Sequence, residues 1–462
     1  MDAGGDALDI DLGGSTWLSD AGNRQATCRS PKIWHSGSCG AIGLAAPPRT
    51  RYRSCVNLRS TLPLLIALGG CSKAGTSNLG TGGSGGASGS GQGMSGTGGS
   101  GTGGMKPPGP VGKCDALPEA GKWEDVTPMG TSATPAINGT VAAAIIVDPF
   151  DTRRVWLGTG GENDEIWRSD DCGASWTRVN TGPGSVGDGK TFGGVGDGAQ
   201  WSMQLDPEQE GTLYAVSGYG AQSLWKTTDG GTSWTDVLKG SEYDMVADYR
   251  FVNNVSLDPT DHLHLIVSTH GGCKDPYAPS CIAETKDGGK TWRTLKAPEP
   301  WAEGGGIVLV KGGLWLWCGT NMLVTTNAGQ SWSGNALSGG GSCEAEYTIR
   351  AFVPSSNGNY YLGSRSGVLR SKDGAQWEHI STSKDVMVMI AQASRRIFAS
   401  NQWQPTIRAA NLDADEVWTD LTTPPQLAQS TAGGIPFLAY DEDHHVLYAS
   451  MFTGGVARMV VP

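Results

Sequence analysis

The chain has 462 residues, among them 71 glycines, 17 tryptophans and 10 cysteines, and carries a net charge of -11. An acidic chain without a basic cluster is a poor match for a nucleic-acid groove, which sets lysine and arginine against phosphate, so no nucleic-acid partner is expected. Glycine-rich stretches such as Gly193-Gly-Val-Gly-Asp-Gly198 do not follow a strand and open a helix. A phosphate cradle is therefore not expected, and no cofactor is called for.

Nothing in residues 1–55 reads as a fold; the segment is expected to be a non-native upstream extension or disordered, with translation starting near Val56. Residues Leu62–Leu68 form an apolar run too brief to span a bilayer as a helix. Arg51, Arg53 and Arg59 precede the run, and Leu68-Gly-Gly-Cys71 ends it. A basic region, a short apolar core and small residues in that order describe a secretory signal, here residues 56–71. The Leu-Gly-Gly-Cys ending resembles a bacterial lipobox. That resemblance implies lipidation at Cys71 and export to the outer membrane or cell surface, with the lipid as the sole membrane attachment. Residues 72–112 follow, with Gly75–Gly104 almost entirely Gly, Ser and Thr. Such a stretch cannot bury a core and is expected to be a flexible tether.

From about Lys113 the chain changes character. A tryptophan-ended turn recurs as Ser169-Asp-Asp-Cys-Gly-Ala-Ser-Trp176, Thr227-Thr-Asp-Gly-Gly-Thr-Ser-Trp234 and Thr285-Lys-Asp-Gly-Gly-Lys-Thr-Trp292. Looser copies are Thr325-Thr-Asn-Ala-Gly-Gln-Ser-Trp332 and Ser371-Lys-Asp-Gly-Ala-Gln-Trp377. In each, the Asp (Asp171, Asp229, Asp287, Asp373) or its stand-in Asn327 can accept N–H groups from the turn that follows. A glycine then supplies positive φ without steric cost. The closing Trp starts a strand and can bury its indole against the neighbouring repeat. A period of about 40–60 residues with strands around the turn signals radial repetition.

Before each turn lies a strand pair, such as Met203-Gln-Leu-Asp-Pro with Leu213-Tyr-Ala-Val, and seven such pairs can be read from Ala144 to Ser450. Seven Trp-led outer strands can be read independently, at Trp123, Trp176, Trp234, Trp292, Trp332, Trp377 and Trp418. The last pair lacks its own Trp strand, whereas Trp123 arrives with no strands before it. The expected fold is therefore all-β: a single seven-bladed β-propeller of four-stranded antiparallel blades over 113–462. The N-terminal strand completes the last blade and removes the exposed edges. A monomer is expected.

The repeated turns resemble the Asp-box, or BNR, repeat of sialidases, two-propeller xyloglucanases and sortilin-type receptors. The resemblance implies that the turn Asp residues are folding devices remote from any catalytic face. Sialidases carry an Arg-Ile-Pro segment where this chain has Ala136-Ile-Asn-Gly-Thr140, so sialidase activity is not expected. Ala144–Trp167 is similar to the first blade of the xyloglucanases, but Gly160 stands where their catalytic Asp would be. Their acid comes from a second propeller, and only one can be read here.

Six cysteines remain beyond Cys71, an even number for an exported protein. Propeller topology pairs Cys273 with Cys281 in one loop, Cys318 with Cys343 on adjacent blades, and Cys114 with Cys172 where the first and last blades meet. No zinc-type spacing is present and no metal is expected.

Loops entering the inner strands, and those joining second and third strands, converge on one face. They carry Glu162 and Asp164 in blade 1; Asp248, Tyr249, Arg250 and His270 in blade 3; and Trp301 entering blade 4. Glu346, Tyr347 and Arg350 enter blade 5, and Arg365 and Trp403 complete the face. Taken singly, each is an ordinary solvated loop residue. Together, aromatics offer flat surfaces for sugar rings, and Glu162 and Asp164 could supply acid and base for glycoside cleavage, with His270 as a further proton carrier. Two readings stay open. One is an exported enzyme acting on polysaccharide or glycoconjugate, as hydrolase or lyase. The other is a non-catalytic propeller binding glycan or an envelope protein.

Overall fold

The computed structural model describes residues 113–114, 116–128, 141–160, 165–185, 194–218, 222–300, 306–334, 336–338, 343, 355–364, 367–380, 389–392, 395–429, 434–451 and 454–462. The expected tether, signal segment and Cys71 lie outside these residues.

Seven antiparallel sheets follow one another along the chain. Blade 1 runs from Val141–Val147 to Thr177–Arg178, blade 2 from Ala199–Leu205 to Thr235–Asp236, and blade 3 from Val252–Asp258 to Arg293–Lys296. Blade 4 runs from Gly306–Lys311 to Met322–Thr325, and blade 5 from Tyr360–Ser364 to Trp377–His379. Blade 6 runs from Met389–Gln392 to Thr419–Leu421, and blade 7 from Phe437–Asp441 to Gly455–Val460. In blade 4 a bridge between Val324 and Ser333 marks the outer edge. The predicted inner strand of blade 5, beginning at Ala351, lies outside the described residues.

The ring closes as expected. Trp123–Asp125 pairs with Gly455–Val460 in the register Trp123↔Met459, Glu124↔Arg458, Asp125↔Ala457. This makes blade 7 four-stranded and pairs the outer edge of Gly455–Val460.

Burial explains why period-2 alternation is faint in the inner half of each blade. The second strands Val155–Gly160, Leu213–Gly218 and Val446–Met451 are buried at every position, because neighbouring blades cover both faces. Outer strands such as Arg293–Lys296 are partly exposed. Apolar clusters sit between blades: Ile145, Leu157 and Trp167 of blade 1 pack on Phe437, Val446 and Tyr448 of blade 7. Blades 4 and 5 meet through Val310, Leu316, Leu362 and Trp377.

Inner strands of successive blades are not paired as a ladder, yet their backbone groups find partners. Ser256 Oγ accepts Leu309 N–H at 2.9 Å, and Asn254 Nδ2 donates to Ile307 O at 2.8 Å. Ser202 Oγ accepts Val255 N–H at 3.4 Å in the same way one blade earlier. Small polar side chains on inner strands thus satisfy groups that would otherwise be buried without a partner.

Candidate functional site: the blade 3 wall

Antiparallel blades place the repeated turns and the first-to-second strand turns at one end, and the remaining connections at the other. At the first end the repeated turn has the same hydrogen bonds in successive blades. Asp287 Oδ1 accepts Thr291 N–H at 2.9 Å, and Oδ2 accepts Thr291 Oγ1–H at 2.6 Å. Thr285 Oγ1 donates to Oδ1 at 2.8 Å and accepts Gly289 N–H at 2.9 Å. Asp229 and Asp171 repeat the pattern. Asn327 keeps the accepted bond from Ser331 N–H at 3.0 Å but donates Nδ2–H to Ser331 Oγ at 2.9 Å. Asp373 accepts Ala375 and Gln376 N–H, both at 2.8 Å, in its shorter turn. Burial raises the Asp287 pKa, but the bonds from Thr291, Thr285 and Lys290 outweigh it and hold the carboxyl at about 2. The closing indoles reach the preceding repeat in part: Trp292 Nε1 donates to Val237 O at 2.7 Å and Trp176 Nε1 to Val126 O at 2.6 Å. Trp234 Nε1 bonds Gly231 O within its own turn.

At the opposite end, the loops of blade 3 form a built wall. The segment entering blade 3 contains a helix, Glu242–Val246, where the sequence suggested only a loop. Ser241 caps it by accepting Asp244 N–H at 3.2 Å, a start signal readable in Ser241-Glu-Tyr-Asp244. Its Tyr243 is fully buried. The helix exit is zippered to the loop between the second and third strands. Asp248 N–H donates to Gly272 O at 2.9 Å, Lys274 N–H to Val246 O at 2.8 Å, and Ala247 bridges Cys273. Tyr277 Oη donates to Glu242 Oε1 at 2.7 Å, and the Cys273–Cys281 disulfide closes the base of the loop.

Four of the predicted residues share this wall. Tyr249 is 62% exposed and lies against Gly271, where an added Cβ would stand 3.1 Å from Tyr249 Cδ2. Asp248 lies closer still to Gly272, so that a side chain there would have to displace the Asp248 carboxylate. Arg250 is paired with Asp244 at 3.1 Å and Asp236 at 3.3 Å. His270 stacks on Phe251 with ring centroids 4.0 Å apart, and its Nδ1 lies 2.7 Å from Asn253 Oδ1. Trp403 belongs to blade 6; the residue is 56% exposed, and its backbone N–H is fixed by Asn401 Oδ1 at 2.9 Å. Glu162, Asp164, Trp301, Glu346, Tyr347, Arg350 and Arg365 lie outside the described residues.

The three expected disulfides are present: Cys114–Cys172, Cys273–Cys281 and Cys318–Cys343, with Cα–Cα distances of 5.7, 5.9 and 5.2 Å. Sequence reasoning missed what surrounds the first. Asp441 and His444 of blade 7 come to the same point, so that one ligand-type atom from each of Cys114, Cys172, Asp441 and His444 lies within 4.8 Å of the others. His444-His445 adjoining an Asp-ended strand was the only signal, and nothing local ties it to a cysteine hundreds of residues away.

No family model matches the chain. Over 112 residues it is 33% identical to a protein of Neosartorya fischeri described as a probable oligoxyloglucan-reducing end-specific xyloglucanase, covering 24% of this chain and 12% of that protein. Over 102 residues it is 35% identical to a xyloglucanase of Paenibacillus sp, covering 20% of this chain and 10% of that protein. The chain thus matches only about an eighth or less of the length of these relatives. Among solved structures, the extracellular domain of a hybrid two component system protein of B. thetaiotaomicron aligns with a TM-score of 0.50 at 10% identity. That alignment covers 69% of this chain and 39% of the other, and it supports the fold alone.

Proposed function

We propose that this propeller recognises extracellular carbohydrate, with the blade 3 wall as part of the binding surface. The local sequence similarity to xyloglucanases carries this reading. Tyr249 supports it: an exposed aromatic ring on a disulfide-closed platform offers a flat apolar surface to a sugar face at small entropic cost.

Binding without cleavage is the reading that one observation favours. On the described wall, Arg250 is neutralised by two carboxylates and His270 is held by Asn253 and Phe251, so these groups serve the shape of the wall. Cleavage, if the protein performs it, rests on Glu162 and Asp164. Calorimetric titration of the protein with xyloglucan oligosaccharides and a wider polysaccharide panel tests recognition. Reducing-end and unsaturated-uronate release, with Glu162→Gln and Asp164→Asn alongside, tests cleavage. Release abolished by either substitution would make the protein an enzyme with its site in blade 1. Neither binding nor release across the panel would overturn the carbohydrate reading and leave an envelope protein as partner.

The anchoring proposal is separate. Cys71 would carry the lipid and 72–112 would hold the propeller away from the membrane surface. Labelling by radioactive palmitate should be lost in Cys71→Ala. Peptides from 1–55 in the mature cellular protein would overturn both the lipid site and the start near Val56. We infer that the repeated turns are Asp-box turns that serve the fold.

A further inference from the structure

In blades 1, 2, 3 and 7 the first-to-second strand turn is capped by an Asp at the end of the inner strand. One carboxylate oxygen accepts turn N–H groups: Asp148 takes Phe150 N–H at 2.9 Å, Asp258 takes Thr260 N–H at 2.9 Å, and Asp441 takes Asp443 N–H at 3.0 Å. The second oxygen faces a cation or imidazole: Arg154 in blade 1, His264 in blade 3, and His444 in blade 7 at 2.6 Å. Only in blade 7, among the described residues, does this Asp–His pair meet two cysteines. Asp441 and Cys172 are fully buried, and His444 is nearly so. Tyr448, packed against the Gly173 that follows Cys172, is also fully buried, and its hydroxyl has no hydrogen-bond partner among the described residues.

We propose that the junction where the ring closes is a two-state cross-link, a disulfide when oxidised and a zinc-class metal site of Cys114, Cys172, Asp441 and His444 when reduced. Two sulfurs, one imidazole and one carboxylate are a sufficient set for a closed four-coordinate site. Reduction requires a dithiol or phosphine reductant. That reductant gives two electrons, the S–S bond breaks, and each sulfur takes a proton; the reductant leaves as its disulfide or, with water, as the phosphine oxide. Metal binding then displaces the two thiol protons to solvent, and the thiolates bond the cation. Either state ties the chain at Cys114, just ahead of the closing strand, to blade 1 at Cys172. The ring would therefore stay pinned in a reducing medium that supplied the metal.

The test uses the full chain, reduced with a phosphine under anaerobic conditions and titrated with cobalt(II) as a spectroscopic probe for zinc. One cobalt per chain is expected, with tetrahedral d–d bands and thiolate-to-cobalt charge transfer, displaced by zinc and accompanied by a higher melting temperature. The charge-transfer band should disappear in Cys114→Ser and in Cys172→Ser. His444→Ala still forms the disulfide, so its folding can be verified oxidised; reduced, it should bind cobalt at least about tenfold more weakly. The double variant Cys273→Ser/Cys281→Ser should retain the signal. No cobalt in the reduced parent, undiminished binding by His444→Ala, or a signal that follows Cys273 and Cys281 would each overturn the proposal.

Discussion

Arg458 and Cys172, 286 residues apart, are joined by a hydrogen bond from Arg458 Nη1 to the Cys172 carbonyl at 2.6 Å. The same guanidinium donates Nη2–H to Ala116 O at 2.9 Å and Nε–H to Glu124 Oε2 at 2.8 Å. One side chain, 1% exposed, therefore touches the chain beside both disulfide cysteines and the strand that closes the ring. Replacing it with Met would leave the buried Cys172 carbonyl without this donor and remove the bonds to Ala116 O and Glu124, costing about 1–3 kcal/mol in urea unfolding. Arg458→Lys should recover less than half of that loss, since an ammonium cannot span three acceptors. A Lys variant as stable as the parent would show that charge alone suffices.

Blade 3 holds a buried charge network whose effect on stability has a defined pH window. His264 Nδ1 and Nε2 lie 3.0 Å from Asp258 Oδ2 and from Glu284 Oε1, and Glu284 also faces Arg293 and Lys286. Burial opposes the imidazolium, but its two carboxylate partners prevail and raise the His264 pKa. Burial likewise raises Asp258, yet bonds from His264, Thr260 and Gly312 bring it down to about 2. The His264 contribution is thus complete below the unfolded imidazole value of about 6.5 and is lost as pH rises through the higher folded value. The Asp258 contribution is complete above about 3.9 and is lost as pH falls toward about 2. The parent should exceed His264→Gln in stability by the most between about pH 4.5 and 6.5. A gap unchanged from weakly acidic to alkaline pH would show that the imidazolium is not what stabilises blade 3.

The Asn at position 327 is a natural guide to the neighbouring turns. Because an amide there preserves both bonds to Ser331, Asp287→Asn should cost under about 1 kcal/mol, whereas Asp287→Ala, which strips them, should cost about 1–3 kcal/mol. Urea midpoints with unchanged m values would read both. Equal losses for the two variants would mean that the turn depends on the charge rather than on the bonding pattern.

On the proposed binding wall, Tyr249→Ala should lower carbohydrate affinity about tenfold, roughly 1.4 kcal/mol, with little change in melting temperature because the ring is mostly exposed. Gly271→Ala should shift the same ring by a few tenths of an ångström and lower affinity by less than Tyr249→Ala does, without removing any aromatic. Affinity unaffected by both changes would move the carbohydrate site away from blade 3.

Fold and site were legible to different depths, for a physical reason. Blade number, the closing role of Trp123 and the three cysteine pairs follow from a repeat whose period fixes where each segment must lie. The turn Asp roles follow from local chain geometry, which a few adjacent residues determine. Convergences such as His444 on Cys172, or Arg458 on Ala116, depend on which side chains meet after closure, and no local pattern encodes them. The helix Glu242–Val246 was not read from the sequence, because five residues are too few for a helical period to show and its Ser241 cap is a signal only beside one. On the site itself, Tyr249 and its neighbours were singled out by residue type, whereas the hydrogen bonds that occupy Arg250 and His270 became visible only in three dimensions.

Closure by a strand from the front of the propeller also sets an order of events during synthesis. Glu124 and Arg458, partners across the seam, leave the ribosome 334 residues apart. At typical rates of about 5–20 residues per second, roughly a quarter to one minute separates them. Blades 1 to 6 can pair their own hairpins as they emerge, but the seam has no partner until the seventh is made. For that interval the nascent chain is an open array with two unsealed ends, and it is then most exposed to a chaperone, or to the matching edge of another copy.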